Sequence, residues 1–422
     1  MQKIAVVDST NLYFMAGGQR YNTPLPLTPV NLRSLVETAL YAGVDALWIL
    51  PGSIGHTHAG IAPKKFTEGQ HYETRKSTDS KGVPLAVLAW RKSGTHDERR
   101  SIMIQFPGYD TRWGLEEITG PTRLLCALNA LQDELELPMM WSPGHVGREL
   151  MKRENDARRR EWVRAPGQLP EIMGDVHYMA KDLRKKEPLV EGGYLHIFDK
   201  NSMYLAAATG CNLGEGQPTL QKQIIFNPKW PGLWRYGDQW LWTPELEYHL
   251  KCEDIAGAII EEAWVWPLYH QTLRSWGEAL WLARKTLKEI NTDAYEVIKA
   301  IATQGLGWLV HKPAMGSGNQ WYRPDWWSMI VSAARAKMLY KAQAIYREYG
   351  VSPVWYDVDE IGFVSSDPNP RTAFPSMLTH EGNLGGFKIT GSCLIDEEIV
   401  EAFRPETSYR DCKKVLQRRL EN

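Results

Sequence analysis

Residues 354–361 run Val-Trp-Tyr-Asp-Val-Asp-Glu-Ile, an apolar stretch that closes on Asp357 and Asp359. In an extended chain, side chains two apart share a face, so both carboxylates are expected to project together from one strand or hairpin tip. Acids held that close repel each other unless a cation sits between them. Hard divalent metals, which take oxygen ligands, are the usual choice. An Asp-x-Asp pair also suits a solvated turn, so the pair alone does not define a metal site. A second acidic strand end follows from residues 193–204, where the short apolar run Tyr-Leu-His-Ile-Phe delivers Asp199 to a polar turn. With Asp357 and Asp359 it would complete a three-carboxylate cluster. Two-metal phosphoryl transfer uses such a cluster to hold the attacking and leaving oxygens of an in-line displacement. Between the two acidic ends, residues 268–310 read as helical and basic, with Arg274, Arg284, Lys285, Lys288 and Lys299 placed to grip a triphosphate.

The order of these parts resembles a known family. Asp199-Lys-Asn-Ser202-Met203-Tyr204 is similar to the first palm motif of family B DNA polymerases, Asp-x-x-Ser-Leu-Tyr. Lys299-x-x-x-Thr303-Gln304-Gly305-Leu306-Gly307 resembles their fingers motif, Lys-x-x-x-Asn-Ser-x-Tyr-Gly, and Tyr356-Asp357-Val358-Asp359 resembles Tyr-x-Asp-Thr-Asp. Leu384-Gly385-Gly386-Phe387-Lys388 looks like the Leu-Gly-x-Trp-Lys run that follows. The compact spacing is most similar to the protein-primed polymerases of phages and linear plasmids.

What the resemblance implies is an α+β fold: an antiparallel palm sheet with helices and two-helix fingers, preceded by an α/β domain of ribonuclease-H type. The expected boundaries are 1–190 for an exonuclease-like domain, 191–267 and 313–392 for the palm, 268–312 for the fingers, and 393–422 for a minimal thumb. Asp199 and Asp359 are the implied ligands bridging two Mg2+ (or Mn2+) ions, with Asp357 a further ligand or electrostatic partner. Ser202 and the amides around Met203 would cradle the β- and γ-phosphates, and Tyr204 would lie under the sugar and exclude a 2′-hydroxyl. Arg284 and Lys288, four apart on one helix face, would join Lys299 on the triphosphate. Leu306 stands where the family has a tyrosine beside the incoming base. Implied partners are a DNA primer–template, deoxynucleoside triphosphates and a priming protein or processivity partner. The implied activity is primer extension with low processivity and without proofreading; the alternative is a polymerase-shaped DNA-binding replication or maintenance protein without turnover.

The N-terminal region departs from the family. Its first strand should open Asp-x-Glu, because two carboxylates there bind metals, yet this chain has Asp8-Ser9-Thr10. After a short Met-Met-Trp strand at 139–141, Ser142-Pro143-Gly144-His145 stands where the nuclease pattern would be Asn-x-x-x-Phe-Asp. An inactive scaffold or DNA guide is expected. A rival reading takes Val7-Asp8-Ser-Thr-Asn11-Leu12 as similar to small PIN-like ribonucleases. The bland one makes Asp8 a turn residue bonded to its own backbone. Predicted elements are strands at Ile4–Val7, Asp45–Leu50, Leu85–Trp90 and Ser101–Phe106, with helices at 31–42, 121–136 and 145–160. Further helices are predicted at 268–290 and 294–309, the latter capped by Asp293. A long one covers 325–349, capped by Asp325 and stopped by Gly350, with Arg335 and Lys337 toward solvent or DNA. A last one spans 407–420.

Composition permits this reading. A chain of 422 residues with 43% hydrophobic residues buries more than one core. The net charge of −1 lacks the basic imprint usual in nucleic-acid binders, so any contact relies on segregated knots: Arg158–Arg160, Arg184–Lys186, and Lys413, Lys414, Arg418 and Arg419. Five scattered cysteines read as reduced thiols in a cytoplasmic protein, and the family resemblance implies a phage, plasmid or bacterial mobile-element context. His56 and His58 lack a nearby third ligand and read as loop residues. No apolar stretch reaches membrane-spanning length, and no cleavable leader is evident.

Overall fold

The computed structural model describes residues 2–8, 11–16, 19–24, 32–50, 72–78, 84–91, 101–107, 110–139, 141–157, 189–310 and 322–421. The knots at 158–160 and 184–186 and the pair His56 and His58 lie outside them. The chain divides into two compact units, residues 1–162 with 278–311, and 163–277 with 312–422.

In the first unit a seven-stranded sheet is built from β1 (Ile4–Val7), β2 (Asn11–Ala16), β3 (Gln19–Pro24), β4 (Ala46–Ile49), β5 (Tyr72–Thr78), β6 (Pro84–Arg91) and β7 (Ser101–Gln105). Helix α1 (Leu32–Ala42) precedes β4. The strand order is β3-β2-β1-β4-β7-β6-β5, with β1, β4 and β7 parallel and the other pairings antiparallel. Central strands β1 and β4 are buried at every position, which is why they read as unbroken apolar runs rather than alternating ones. Their core takes in Val7, Leu12, Leu47, Ile49, Ile104 and Phe106.

Helices α2 (Pro121–Leu135) and α3 (Pro143–Ala157) follow. The expected Met-Met-Trp strand is not there: Met139 is irregular, and Trp141 sits in the left-handed region at φ 58°, where a strand cannot continue. Two further helices, α6 (Arg274–Ile290) and α7 (Thr292–Gly307), come later in the chain; α7 packs on α2 and α3. The α3–α7 seam depends on glycine. A Cβ on Gly147 would stand 2.6 Å from the Ile301 carbonyl oxygen and 2.9 Å from Gly305 Cα, and one on Gly144 would stand 2.8 Å from Trp308 Nε1. Gly305 therefore serves helix packing.

The second unit is built on two four-stranded sheets. Four antiparallel strands, β8 (Tyr194–Lys200), β15 (Trp355–Asp357), β16 (Glu360–Ser365) and β17 (Phe387–Leu394), lie in the order β15-β16-β8-β17. Helix α4 (Met203–Gly210) packs on the long α8 (Pro324–Tyr349). A separate sheet, β10-β13-β11-β12, comes from Thr219–Ile225, Ile259–Val265, Gly232–Tyr236 and Gln239–Trp242. Its core holds Trp234, Leu246 and Val265; α5 (Thr243–Cys252) packs between its β11 and β12 and α8, while β9 (Leu213–Gly214) pairs β14 (Tyr269–His270). Of two C-terminal helices, α9 (Glu397–Ala402) and α10 (Tyr409–Glu421), α10 packs on β17 and α9 on α10, and both share a core with Leu195, Ile197 and Trp355.

Several local expectations are corrected. Asn291, not Asp293, caps α7, its side chain accepting from Ala294 N at 3.0 Å. Asp293 instead accepts a bidentate pair from Arg123 at 2.6 and 2.7 Å. Asp325 does not cap α8: it takes the guanidinium of the fully buried Arg323 at 2.6 and 3.0 Å, and Arg323 also donates to the Gly214 carbonyl. Arg335 turns to Glu245 at 3.0 Å. Among the described residues no helix is long and apolar enough to cross a membrane.

Candidate active site

Strand register builds the site. Asp357 pairs with Glu360, Glu360 with Asp199, and Asp199 with Lys388, so one rung crosses all four strands of the β15-β16-β8-β17 sheet. Directly paired residues project from the same face. The rung therefore sets three carboxylates and one ammonium side by side, and Lys388 Nζ lies 2.7 Å from Asp199 Oδ2.

Asp359 joins them from the hairpin turn rather than from the strand face. Only Val358 and Asp359 link β15 to β16, and Val358 adopts φ 50°, a conformation glycine usually supplies in such turns. A β-branched residue there stores strain on the order of 1–3 kcal/mol. The Asp359 carbonyl accepts from Lys200 N at 2.8 Å, which ties the turn to the end of β8. Burial first, and then the charge of Asp199 beside it, pushes the Asp359 carboxyl up to about 6. These two acids are the pair that the family resemblance implies as metal ligands.

Asp357 is engaged differently. It is buried, and Lys413 of α10 donates to its Oδ2. Glu360, which the sequence reading missed, stands between Asp357 and Asp199 on the rung, and burial raises its carboxyl above the usual range. A two-residue loop after Asp357 was the signal that would have found it, because such a loop puts positions 357 and 360 opposite each other. Among the described residues no group of three His, Cys, Asp or Glu side chains is disposed to hold a metal. What the chain presents is the Asp199–Asp359 pair, mutually repelling and partly dehydrated, and that donor chemistry fits a hard divalent cation.

The turn after Asp199 is set by its neighbours. Ser202 takes the left-handed conformation at φ 51° ahead of α4, and its side chain makes no cap hydrogen bond to that helix. Met203 is buried in the core, and Tyr204 stacks on Trp327 with ring centroids 5.9 Å apart. Asn201 exchanges backbone hydrogen bonds with Gly385 and Gly386 at 2.9 and 2.8 Å, bringing the Leu384–Lys388 run against the turn after Asp199. Two glycines are required there: Gly385 sits at φ 75°, and a Cβ on Gly386 would fall 1.8 Å from the His380 carbonyl oxygen. Lys200, on the opposite sheet face from Asp199, is buried with its ammonium 4.5 Å above the Phe387 ring. Burial, then the charges of Lys337 and Lys341, push it down to about 8.

In the other unit, Arg284, Lys288 and Lys299 gather around one phenol. Arg284 donates to Tyr295 Oη at 3.0 Å, with its guanidinium 5.2 Å from the ring centroid; Lys299 Nζ is 4.6 Å from the same ring and is held by Glu296 at 2.7 and 2.8 Å. Burial pushes the Tyr295 phenol up, but the Arg284, Lys299 and Lys288 charges outweigh it and leave it below the usual tyrosine range. Leu306 is buried in α7.

Several other acids and cations have partners away from this rung. Asp8 accepts from Asn11 N at 2.7 Å and Tyr13 Oη at 2.9 Å, as its reading as a turn residue requires. Asp45 accepts from Lys3 N at 2.9 Å, and buried Asp110 from Arg112 at 2.5 and 2.7 Å. In the C-terminal basic knot, Lys414 pairs with Asp411, Arg418 with Glu398 and Arg419 with Asp396.

No family model matches the chain, and neither does any curated protein. Solved structures do. Phi29 DNA polymerase complexed with primer–template DNA matches with TM-score 0.57 and 11% identity over 93% of this chain and 85% of that one. The same polymerase with primer–template DNA and incoming nucleotide matches at 0.56 and 11% identity, and its orthorhombic crystal form at 0.56 and 12%, over the same shares of each chain. At this identity the likeness shows fold alone, and the fold is that of the family B DNA polymerases in their Phi29-like form.

Proposed function

We propose that the chain is a metal-dependent DNA polymerase that adds deoxynucleotides to a primer. The observation carrying this reading is the Asp199–Asp359 pair, held at the tip of an antiparallel sheet in a chain folded like a polymerase that binds primer–template DNA and nucleotide. When bound, magnesium or manganese would supply Lewis-acid stabilisation of the transferring phosphoryl group and lower the pKa of the primer hydroxyl. Asp199 and Asp359 are the residues to hold it. The backbone after Ser202 and Met203 faces the triphosphate in this reading, Tyr204 braced on Trp327 reads the sugar, and Arg284, Lys288 and Lys299 neutralise phosphate charge.

The N-terminal region is proposed as a ribonuclease-H-like domain that has lost exonuclease chemistry. Its strand order, three antiparallel strands followed by two parallel ones beside β1, supports the first half. The local engagement of Asp8, Asp45 and Asp110 supports the second.

The ion pairs at Asp357 and Asp199 favour a second reading, a polymerase-shaped DNA-binding protein without turnover. Incorporation of labelled deoxynucleotides into a primed template with magnesium or manganese separates the two. The native chain should extend and Asp359→Asn should not; equal signal from both proteins removes the polymerase reading.

A further inference from the structure

We infer that a cavity walled by the end of α4, one face of α8 and the start of α5 is a binding site for a compact organic carboxylate, whose charged end meets Lys337 and whose flat apolar body lies against Trp230. The site uses none of the acids of the candidate active site. It stands at the far end of α4 from Asp199, about 12 Å of helix away.

The cavity measures about 260 Å³, room for a body of roughly a dozen non-hydrogen atoms at the packing density of protein interiors. Its walls are tied together by hydrogen bonds. Asn212, just past α4, donates to the Lys229 carbonyl at 3.0 Å, and Gln271 donates to the Gly210 carbonyl at 3.2 Å. Thr243, at the start of α5, donates to the Trp230 carbonyl at 2.7 Å. Trp230, Pro231, Pro244 and Met329 supply apolar lining, and the small Ala333 and Ala336, three apart on one face of α8, leave the space open. Water in such a space finds few polar partners, whereas an apolar body gains by filling it.

Charge decides what the other end of the ligand must be. Lys337 lines the cavity, and its ammonium carries three donors. Among the described residues it finds the Ala206 carbonyl at 3.5 Å, the outer limit of a hydrogen bond. The neighbouring Cys211 thiol is pushed up to about 12 by burial and so stays neutral. Two more ammonium groups add to the field, because Lys337 and Lys341 both repel Lys200. Lys200 lies over the Phe387 ring and Lys341 donates to the Ser376 carbonyl at 2.6 Å, neither of them a charged partner; Glu348 offsets Lys341 in part. Glu247, the carboxylate in the cavity wall, is already held by Lys251 at 2.6 Å. Desolvation, only partly offset by Cys211, leaves the Lys337 ammonium below the ordinary lysine range, a cost that a bound anion relieves. A carboxylate on an apolar body answers both the cations and the lining.

Fluorine nuclear magnetic resonance of the full chain with para-trifluoromethylbenzoate tests this without reference to turnover. The expected dissociation constant is about 1 mM or below. The matching benzyl alcohol, the same body without the charge, should bind at least about tenfold more weakly, and the matching benzylamine more weakly still. Lys337→Met should weaken benzoate binding by about tenfold or more while leaving the alcohol within about twofold, and Lys337→Arg should keep most of the benzoate affinity. Ala333→Leu fills the space and should abolish binding of both probes. Should either Lys337→Met or Ala333→Leu fail to fold, the ranking of the three probes on the native chain decides with the variant that remains. Equal affinity for benzoate and alcohol overturns the carboxylate assignment, as does a Lys337→Met that weakens the two alike, the mark of a merely structural lysine. Benzoate binding that neither substitution changes overturns the cavity as its place. No benzoate binding up to about 10 mM overturns the inference outright and leaves the polymerase reading untouched.

Discussion

Both units of this protein end buried strands in aspartate, and the two sets of acids have opposite fates. Asp8 follows β1 directly, yet Asn11 N and Tyr13 Oη use up both its oxygens within five residues. Asp199 stands in β8 and meets Glu360, Asp359 and Lys388 only because strands far apart in sequence pair beside it. A strand-end acid is therefore not itself a sign of chemistry. What marks a site is an acid whose neighbours are other acids, a cost the fold tolerates only where something else, here two lysines and a proposed metal, offsets it.

The largest expected effect breaks this comparison if it is wrong. Asp359→Asn should lower deoxynucleotide incorporation by about a thousandfold or more, the scale of losing a principal electrostatic group at a transferring phosphoryl centre. Asp8→Asn should leave incorporation within about twofold, because its carboxylate serves a turn. Comparable losses from both substitutions in single-turnover rates would mean that the first unit is wired into the chemistry.

Next in size is a test of how the first unit is held together. Gly147→Ala places a methyl group 2.6 Å from a backbone oxygen in the α3–α7 seam, so the helices must separate. A loss of roughly 3 kcal/mol is expected, read as a lower midpoint in urea unfolding of the native and substituted chains. An unchanged midpoint would show that the seam is loose.

That seam marks the limit of what sequence showed. Periodicity and apolar runs gave β1, β4, β7, α2 and α3 to within a few residues, and α10 nearly so. Asp199, Asp357 and Asp359 were legible because each interrupts a strand-like run with a charge. Glu360 was not, since its role follows from the two-residue turn at Val358, whose φ of 50° no β-branched residue advertises. Lys413 was legible only as part of a basic knot. Its partner lies 56 positions away, and nothing in a charge run says which member points at a carboxylate. Nor did Gly144 and Gly147 signal helix packing, because a glycine inside a helical pattern reads first as a weakness in it.

Lys200 provides a second comparison, between two lysines on opposite faces of the sheet that carries Asp199. Lys388 has Asp199; Lys200 has the Phe387 ring and the repulsion of two further lysines. Its value of about 8, below the ordinary 10.5, means that the folded state binds this proton less well than the unfolded one. The penalty is full below pH 8 and is relieved as pH rises toward 10.5. Lys200→Met should therefore stabilise the chain by about 2 kcal/mol at pH 7. The difference in melting temperature between the native chain and Lys200→Met should shrink steadily from pH 8 to pH 10. A difference independent of pH would mean that methionine acts through packing rather than charge.

The smallest expected effect sharpens the opening contrast most, because it turns on sign. Asp8→Ala removes the acceptor of two hydrogen bonds, one of them from a backbone amide, and should destabilise the chain by about 1 kcal/mol. Asp359→Asn removes a charge that burial and Asp199 both oppose while nearly preserving shape, so without divalent cations it should stabilise by a similar amount, about 1 kcal/mol after allowing for solvent screening. Magnesium at millimolar concentration should reverse the order of Asp359→Asn and the native chain, since a ligand that binds only the folded state stabilises the protein able to hold it. Differential scanning calorimetry of the three proteins with and without magnesium reads both signs at once. If Asp359→Asn destabilises the metal-free chain as Asp8→Ala does, then Asp359 is spent on local structure as well, and the distinction between the two sets of acids fails.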